Sequence, residues 1–174
     1  MIDVFWTERD ALYRHAWKIL GNPQDAEDAV HDCFLRLSPR DKAPPEATHP
    51  RAWLFRVLRN ICIDRLRARQ KAVDPGHQDA IAAQLHPGGA QTMTAEHEVI
   101  MSDTLRRVQD GLRDLPGEEA ETLTLAVVEG LSYAEIAYAT NVPIGTVRSR
   151  LHRARRALRE LLAADPHALS EPGA

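Results

Sequence analysis

The stretch that decides the fold is Gly130-Leu131-Ser132-Tyr133-Ala134-Glu135-Ile136-Ala137-Tyr138-Ala139-Thr140-Asn141-Val142-Pro143-Ile144-Gly145-Thr146-Val147-Arg148-Ser149-Arg150-Leu151-His152-Arg153-Ala154-Arg155. Ser132 can cap a helix, and Glu135 three residues on completes the pattern of a capping box. Ile136 and Ala137 face inward, and Thr140-Asn141-Val142 supplies a tight turn. Pro143 falls just inside the next helix, where its missing N–H is tolerated. Val147, Leu151, Ala154 and Leu158 recur at helical spacing as a buried stripe. The other faces of this helix are almost all Arg, Ser and His. Two short helices across a tight turn, the second cationic, form a helix-turn-helix, whose second helix can lie in a DNA major groove. Gly145 and Thr146 let the helix N-terminus approach the DNA backbone, where amides and dipole hold a phosphate. Arg148, Ser149, His152 and Arg153 are spaced to reach base edges. Arg150, Arg155, Arg156 and Arg159 are read as phosphate contacts. The competing interpretation, a solvated amphipathic surface helix, leaves the cap, the turn and Pro143 without a reason.

Working outward, the sequence predicts helices on both sides. Toward the N-terminus of this stretch, a helix from Glu118 to Glu129 carries Leu123, Val127 and Val128 and ends at Gly130. Before it, Val99, Leu105, Val108 and Leu112 mark another that ends at Pro116. At the start of the chain, Leu12, Ala16, Ile19 and Leu20 form one stripe, stopped by Gly21-Asn22-Pro23. The next helix opens with Asp25, Glu27 and Asp28, as the helix dipole favours. Its apolar face is Ala26, Ala29, Val30, Cys33, Phe34 and Leu37. Residues 38–50 hold Pro39, Pro44, Pro45 and Pro50 and read as a loop. A third helix follows with Trp53, Leu54, Val57, Leu58, Ile61 and Leu66 inward. Residues 72–94, with Pro75, Gly76, Pro87, Gly88 and Gly89, read as a linker. No strand-like alternation competes anywhere, and aromatics at 5% leave the core to Leu, Ala, Val and Ile, which suits packed helices. The expected fold is therefore all-α: two small helical domains, 1–71 and 95–174, joined by a flexible linker at 72–94, the second domain holding the helix-turn-helix.

A net charge of −3 looks wrong for a nucleic-acid binder, but its distribution does not. Between Arg51 and Lys71 stand Arg51, Arg56, Arg59, Arg65, Arg67, Arg69 and Lys71, against the single acid Asp64. Between Arg148 and Arg159 stand six arginines and no acid. Two basic patches on an acidic body can grip phosphate at two places and repel it elsewhere.

The first half narrows the choice among helix-turn-helix proteins. The run from Leu12 through Trp17, Gly21-Asn22-Pro23, Asp25, Asp28 and Asp32 to Leu37 closely resembles the polymerase-binding region of the extracytoplasmic-function (ECF) sigma factors, within the sigma-70 family. Pro50-Arg-Ala-Trp-Leu-Phe-Arg-Val-Leu-Arg-Asn-Ile-Cys-Ile-Asp-Arg-Leu-Arg resembles their promoter-melting region, and residues 112–162 resemble their C-terminal domain. The resemblance covers nearly the whole chain except the linker and the last dozen residues, and the three motifs stand in the family's order.

The resemblance implies a transcription initiation factor that binds core RNA polymerase at the β′ clamp and β flap, recognises promoter DNA and is controlled by an anti-sigma protein. The domains become region 2 (1–71) and region 4 (95–174). Asp25, Asp28 and Asp32 would meet basic groups of the clamp, with Phe34 and Leu35 as apolar contacts; a favourable helix N-terminus alone accounts for Asp25 and Asp28 but poorly for Asp32. At the −10 element, Asn60 would read the edge of an unstacked base, with Arg56 one turn earlier and Asp64 one turn later on the same face. Arg59, Arg65, Arg67 and Arg69 would hold the backbone. The proline-rich loop would rim the base pocket. At the −35 element, Thr146, Arg148, Ser149, His152, Arg153 and Arg156 would contact the duplex. The linker acids Asp74, Asp79 and Glu96 fit either a nucleic-acid mimic or an ordinary connection.

Other classes find less support. Cys33 and Cys62 fall on apolar faces and read as small hydrophobes. The histidines lack metal-ligand spacing, and neither a phosphate loop nor a nucleophile elbow appears, so no metal, cofactor, small-molecule substrate or catalytic residue is expected. The N-terminus does not read as a signal peptide and no run is long enough to span a membrane, so a cytoplasmic place is expected, without membrane insertion. Trp53, Trp17 and Trp6 read as core or interface residues. The alternatives are a conventional helix-turn-helix regulator, which leaves the 51–71 patch unexplained, and a sigma-like decoy, which would not need a basic recognition helix.

Overall fold

A computed structural model describes residues 1–37, 49–73 and 111–163. All regular structure among these residues is helical. The expected loop at 38–48, the linker from 74 onward and the helix marked by Val99, Leu105 and Val108 lie outside the described residues.

The first half is three helices. α1 (Ile2–Leu20) ends at Gly21, whose φ of 68° lets its N–H reach back to the Trp17 carbonyl at 2.8 Å. α2 (Pro23–Leu35) starts at once, because the Asn22 side chain accepts from the N–H groups of Gln24 and Asp25 and Pro23 has no N–H to leave unsatisfied. α3 spans Pro50–Val73. Phe5, Leu12 and Ala16 of α1, Ala29 and Cys33 of α2, and Leu54, Phe55, Leu58 and Cys62 of α3 make a dry core. Phe55 is fully buried where the sequence stripe placed Trp53 and Val57, which are only half-buried. Burial pushes both thiols, Cys33 and Cys62, up to about 12, which keeps them protonated.

The second half comprises α4 (Gly117–Val127), α5 (Tyr133–Thr140) and α6 (Ile144–Ala163). The capping box forms as the sequence predicts. The Glu135 N–H donates to Ser132 Oγ at 3.3 Å, and the Ser132 N–H returns to Glu135 Oε2 at 2.8 Å. Burial pushes the Glu135 carboxyl up, but its bonds to Ser132 more than reverse this and hold it below the usual glutamate range. Asn141 turns the chain in the left-handed region at φ 57°. Pro143 stands one residue before α6, at the capping position, where its carbonyl accepts from Thr146 and Val147. Leu125, Ile136, Val147, Leu151 and Ala154 fill the core between these helices. Gly111, in the helical turn 111–114, passes so close to α6 that a Cβ there would meet Leu158 at 2.9 Å.

The two halves are not apart. α5 lies along α3, and α1 meets α4 through side chains. Arg14 with Glu129, and His15 and Arg59 with Glu121, join the halves, and the contact places the two candidate DNA-binding helices on one body.

Candidate nucleic-acid interface

On α6, Arg148, Ser149, His152, Arg153, Arg155 and Arg156 are exposed along one side of the helix, opposite Val147, Leu151 and Ala154. Thr146 is half-buried in the first turn, and the Ser149 hydroxyl donates to its carbonyl at 2.9 Å. Arg148 and His152 have no side-chain partner among the described residues, whereas Arg153 pairs with Glu119 and Arg156 with Glu160. Arg150 departs from the reading of it as a phosphate contact. It is 7% exposed and binds Glu118 of α4, because position 150 turns inward between Val147 and Leu151.

The α3 patch is more occupied than its composition suggests. Arg51 pairs with Glu8, Arg65 with both Asp28 and Asp32, Arg67 with Asp64, and Arg69 with Asp25. The ion pair Arg65–Asp32 is 2.6 Å long, and the hydrogen bond to Asp32 is the largest cause that holds the Arg65 guanidinium charged. The three acids assigned to polymerase and two of the arginines assigned to DNA thus face one another across α2 and α3. Asn60 and Asp64 point outward, exposed, on the same helix.

Arg56 and Arg59 are held by the other half of the chain. The Arg56 guanidinium lies 4.8 Å over the Tyr138 ring and donates to Asn141 Oδ1 at 3.4 Å. Arg59 Nε donates to Glu121 Oε1 at 2.8 Å, and His15 Nε2 stands 3.5 Å from the same oxygen without completing a hydrogen bond. Beside them, Arg14 reaches Glu129 at 3.3 Å and His49 lies 3.7 Å from Glu135. Burial lowers the Lys18 ammonium, partly offset by Glu129. Burial alone would raise the Glu121 carboxyl, but His15 and Arg59 bring it below the usual glutamate range.

At the far side of the first half, an aromatic groove runs between α1 and α2. Phe5, Trp6, Tyr13 and Phe34 line it, with Asp28 and His31 at its edge. Trp6 is 58% exposed and packs on Phe5 and Phe34, with ring centroids 5.6 Å apart in each case, so it belongs to a surface and not to the core. Leu35 is exposed and Phe34 half-buried at the same end. Trp6 and Tyr13, seven residues apart and hence on one face of α1, carried a signal for this groove that the reading of the stripe from Leu12 onward did not use.

Two family models match the chain: Sigma-70 region 2 over residues 5–72 and Sigma-70 region 4 over residues 105–158. The ECF RNA polymerase sigma factor SigL of Mycobacterium tuberculosis is 32% identical over 149 residues, 85% of this chain and 80% of that protein. SigE of Mycolicibacterium smegmatis is 33% identical over 154 residues, 88% of this chain, which spans 58% of that relative's length. Among solved structures, the sigma factor RpoE in complex with the anti-sigma factor NepR from Bartonella quintana is similar at a TM-score of 0.67 and 26% identity, covering 94% of both chains. A helical region 2 followed by a helix-turn-helix region 4 defines a sigma-70 type of transcription factor. Within that class, the chain belongs to the ECF RNA polymerase sigma factors. No described helix is long and apolar enough to cross a membrane, and no cluster of metal-ligating side chains occurs among the described residues.

Proposed function

We propose that this sigma factor docks on core RNA polymerase through α2 and the adjoining aromatic groove, opens promoter DNA with α3 and reads an upstream duplex element with α6. The observation that carries the reading is the exposed face of α6: Arg148, Ser149, His152, Arg153 and Arg156 project from the second helix of a capped helix-turn-helix, with the buried stripe behind them. Bidentate contacts from such side chains discriminate bases in the major groove, each worth about 1–3 kcal/mol. Thr146, at the first turn, sits where backbone amides can hold a phosphate.

On α3, the exposed Asn60 offers both a donor and an acceptor to a base edge. Arg56, Arg59, Arg65 and Arg67, with Asp64 among them, line the path of the strand. For polymerase, Asp25, Asp28 and Asp32 supply negative charge, and Phe34 and Leu35 apolar surface, to the β′ clamp; region 4 adds a contact to the β flap. An anti-sigma protein controls the factor; support comes from the similarity to a sigma factor solved with its anti-sigma partner. The chain acts without catalysis of its own, in the cytoplasm where the polymerase works, with domain limits at 1–71 and 95–174.

In vitro transcription with core polymerase and a promoter library tests this reading. Arg148→Ala is expected to lower promoter affinity by about tenfold, since one bidentate contact is worth about 1–3 kcal/mol. Asn60→Ala is expected to retain closed-complex binding and lose strand opening, read by permanganate reactivity of unpaired thymines. A chain that neither binds core polymerase nor starts RNA synthesis at any library member overturns it.

A further inference from the structure

We infer that Glu119 of α4 is a positioning residue for base reading: it holds Arg153 of α6 by Nε, which leaves the two terminal nitrogens of the guanidinium as a fork for the O6 and N7 atoms of a guanine. The inference rests on the proposed reading of DNA by α6 and adds to it a residue from another helix.

The arginines of α6 differ in what holds them. Arg148 is exposed, and Arg156 pairs with Glu160 of its own helix, with both side chains in solvent. Arg150 is drawn under the helix by Glu118. Arg153 lies between these cases. Its side chain is 51% exposed, yet its Nε donates to Glu119 Oε1 at 2.5 Å, and Glu119 is itself only 12% exposed. A solvent-facing arginine is thus tied to a mostly buried carboxylate on a different helix. Glu118 and Glu119 are neighbours in the first turn of α4, and they sort two arginines of α6. One is withdrawn into the packing and the other is held at the surface.

The atom that Glu119 binds decides what remains for a ligand. A guanidinium carries five N–H donors in a rigid plane. Nε is taken, and the edge formed by Nη1 and Nη2 makes no hydrogen bond among the described residues. That edge matches the two adjacent acceptors that guanine, unlike adenine, presents in the major groove. An arginine already fixed by its stem also loses less rotamer freedom on docking than a free one. The helix dipole favours an acid in the first turn of α4, but it does not require that acid to lie against an arginine 34 positions further on. As a pair with one partner in solvent it adds little to stability, so its effect falls on the direction of the fork.

The experiment uses holoenzyme, assembled from the full chain and core polymerase, on duplex promoters in which each upstream base pair is varied in turn. Competition binding gives the affinity for each sequence, and circular dichroism melting of the chain checks the fold. Arg153→Ala is expected to erase a guanine preference at one base pair. Glu119→Ala is expected to lower that same preference about tenfold. Its affinity for non-promoter duplex is expected to stay level or rise, because a carboxylate beside the phosphates is gone. Glu119→Gln keeps an acceptor for Nε and is expected to restore most of the preference. Glu119→Asp keeps an acid in the first turn but shortens its reach, and is expected to lower the preference as well, which covers a folding defect in the alanine variant. If the alanine and aspartate variants leave the preference read by Arg153 intact, or weaken binding at every base pair alike, Glu119 is not a positioning residue and the role of Arg153 stands. If Arg153→Ala alters the preference at no base pair, the assignment of Arg153 to a base falls and takes the inference with it.

Discussion

Arg150 shows what a residue's place in a pattern hides. In the sequence it is one of six arginines in twelve positions, indistinguishable in type from Arg148 or Arg153. In the fold it turns under the helix onto Glu118, and its charge serves the packing of α4 against α6. Arg150→Ala is expected to destabilise the chain by about 2 kcal/mol, between the value of an exposed pair and that of a fully buried one, because Glu118 keeps some solvent. Urea denaturation checks this, with Arg148→Ala as the exposed control expected within about 0.5 kcal/mol of the parent. Asp32 carries a similar lesson. Its charge was legible as unusual so far into a helix, but its partner Arg65 lies 33 positions away on another helix, where spacing along one element cannot reach.

At the scale of elements, the sequence was informative wherever the signal was local. The start of α5 follows from Ser132 and Glu135 alone, and the α1–α2 break from Gly21-Asn22-Pro23 alone, because caps and turns are set by neighbours within four residues. Ser132→Ala is expected to cost about 1 kcal/mol and to lower the melting temperature, with DNA contacts of α6 otherwise intact. Circular dichroism melting measures it, and an unchanged midpoint would remove the capping box from the account of why α5 forms. The inner face of α3 was read less well. Phe55 sits at the core while Trp53 is half-buried, a rotation of the stripe decided by what α1 presents, including the His15 ring 5.3 Å from Phe55. The candidate sites followed the same rule: the exposed α6 face was legible from one helix, whereas the occupation of α3 depended on four others.

The whole molecule was the least legible scale, because docking of the halves rests on acids scattered through region 4 that read singly as ordinary helix residues. Glu121 lies between Ala120 and Thr122 in a helix whose neighbouring side chains are buried, and nothing local marks its role. Its carboxyl faces His15 of α1 and Arg59 of α3 and is held below the usual glutamate range, while its charge adds to the burial that raises the Cys62 thiol of α3. A carboxylate whose folded value is depressed contributes stability that is complete above the unfolded value, about 4.3, and is lost as pH falls through the lower folded value. The parent is therefore expected to melt higher than Glu121→Gln near neutral pH, and the gap is expected to close as the pH is taken below about 4, since the protonated acid and the amide are then alike in charge. Other carboxylates titrate in both proteins and cancel in the difference. Equal melting of the two proteins near neutral pH would mean that shape, and not charge, holds Glu121 in place, because glutamine keeps the shape. The two halves would then meet by packing alone, and the ion pairs of Glu121 with Arg59 and His15 would be a consequence of that packing and not its cause.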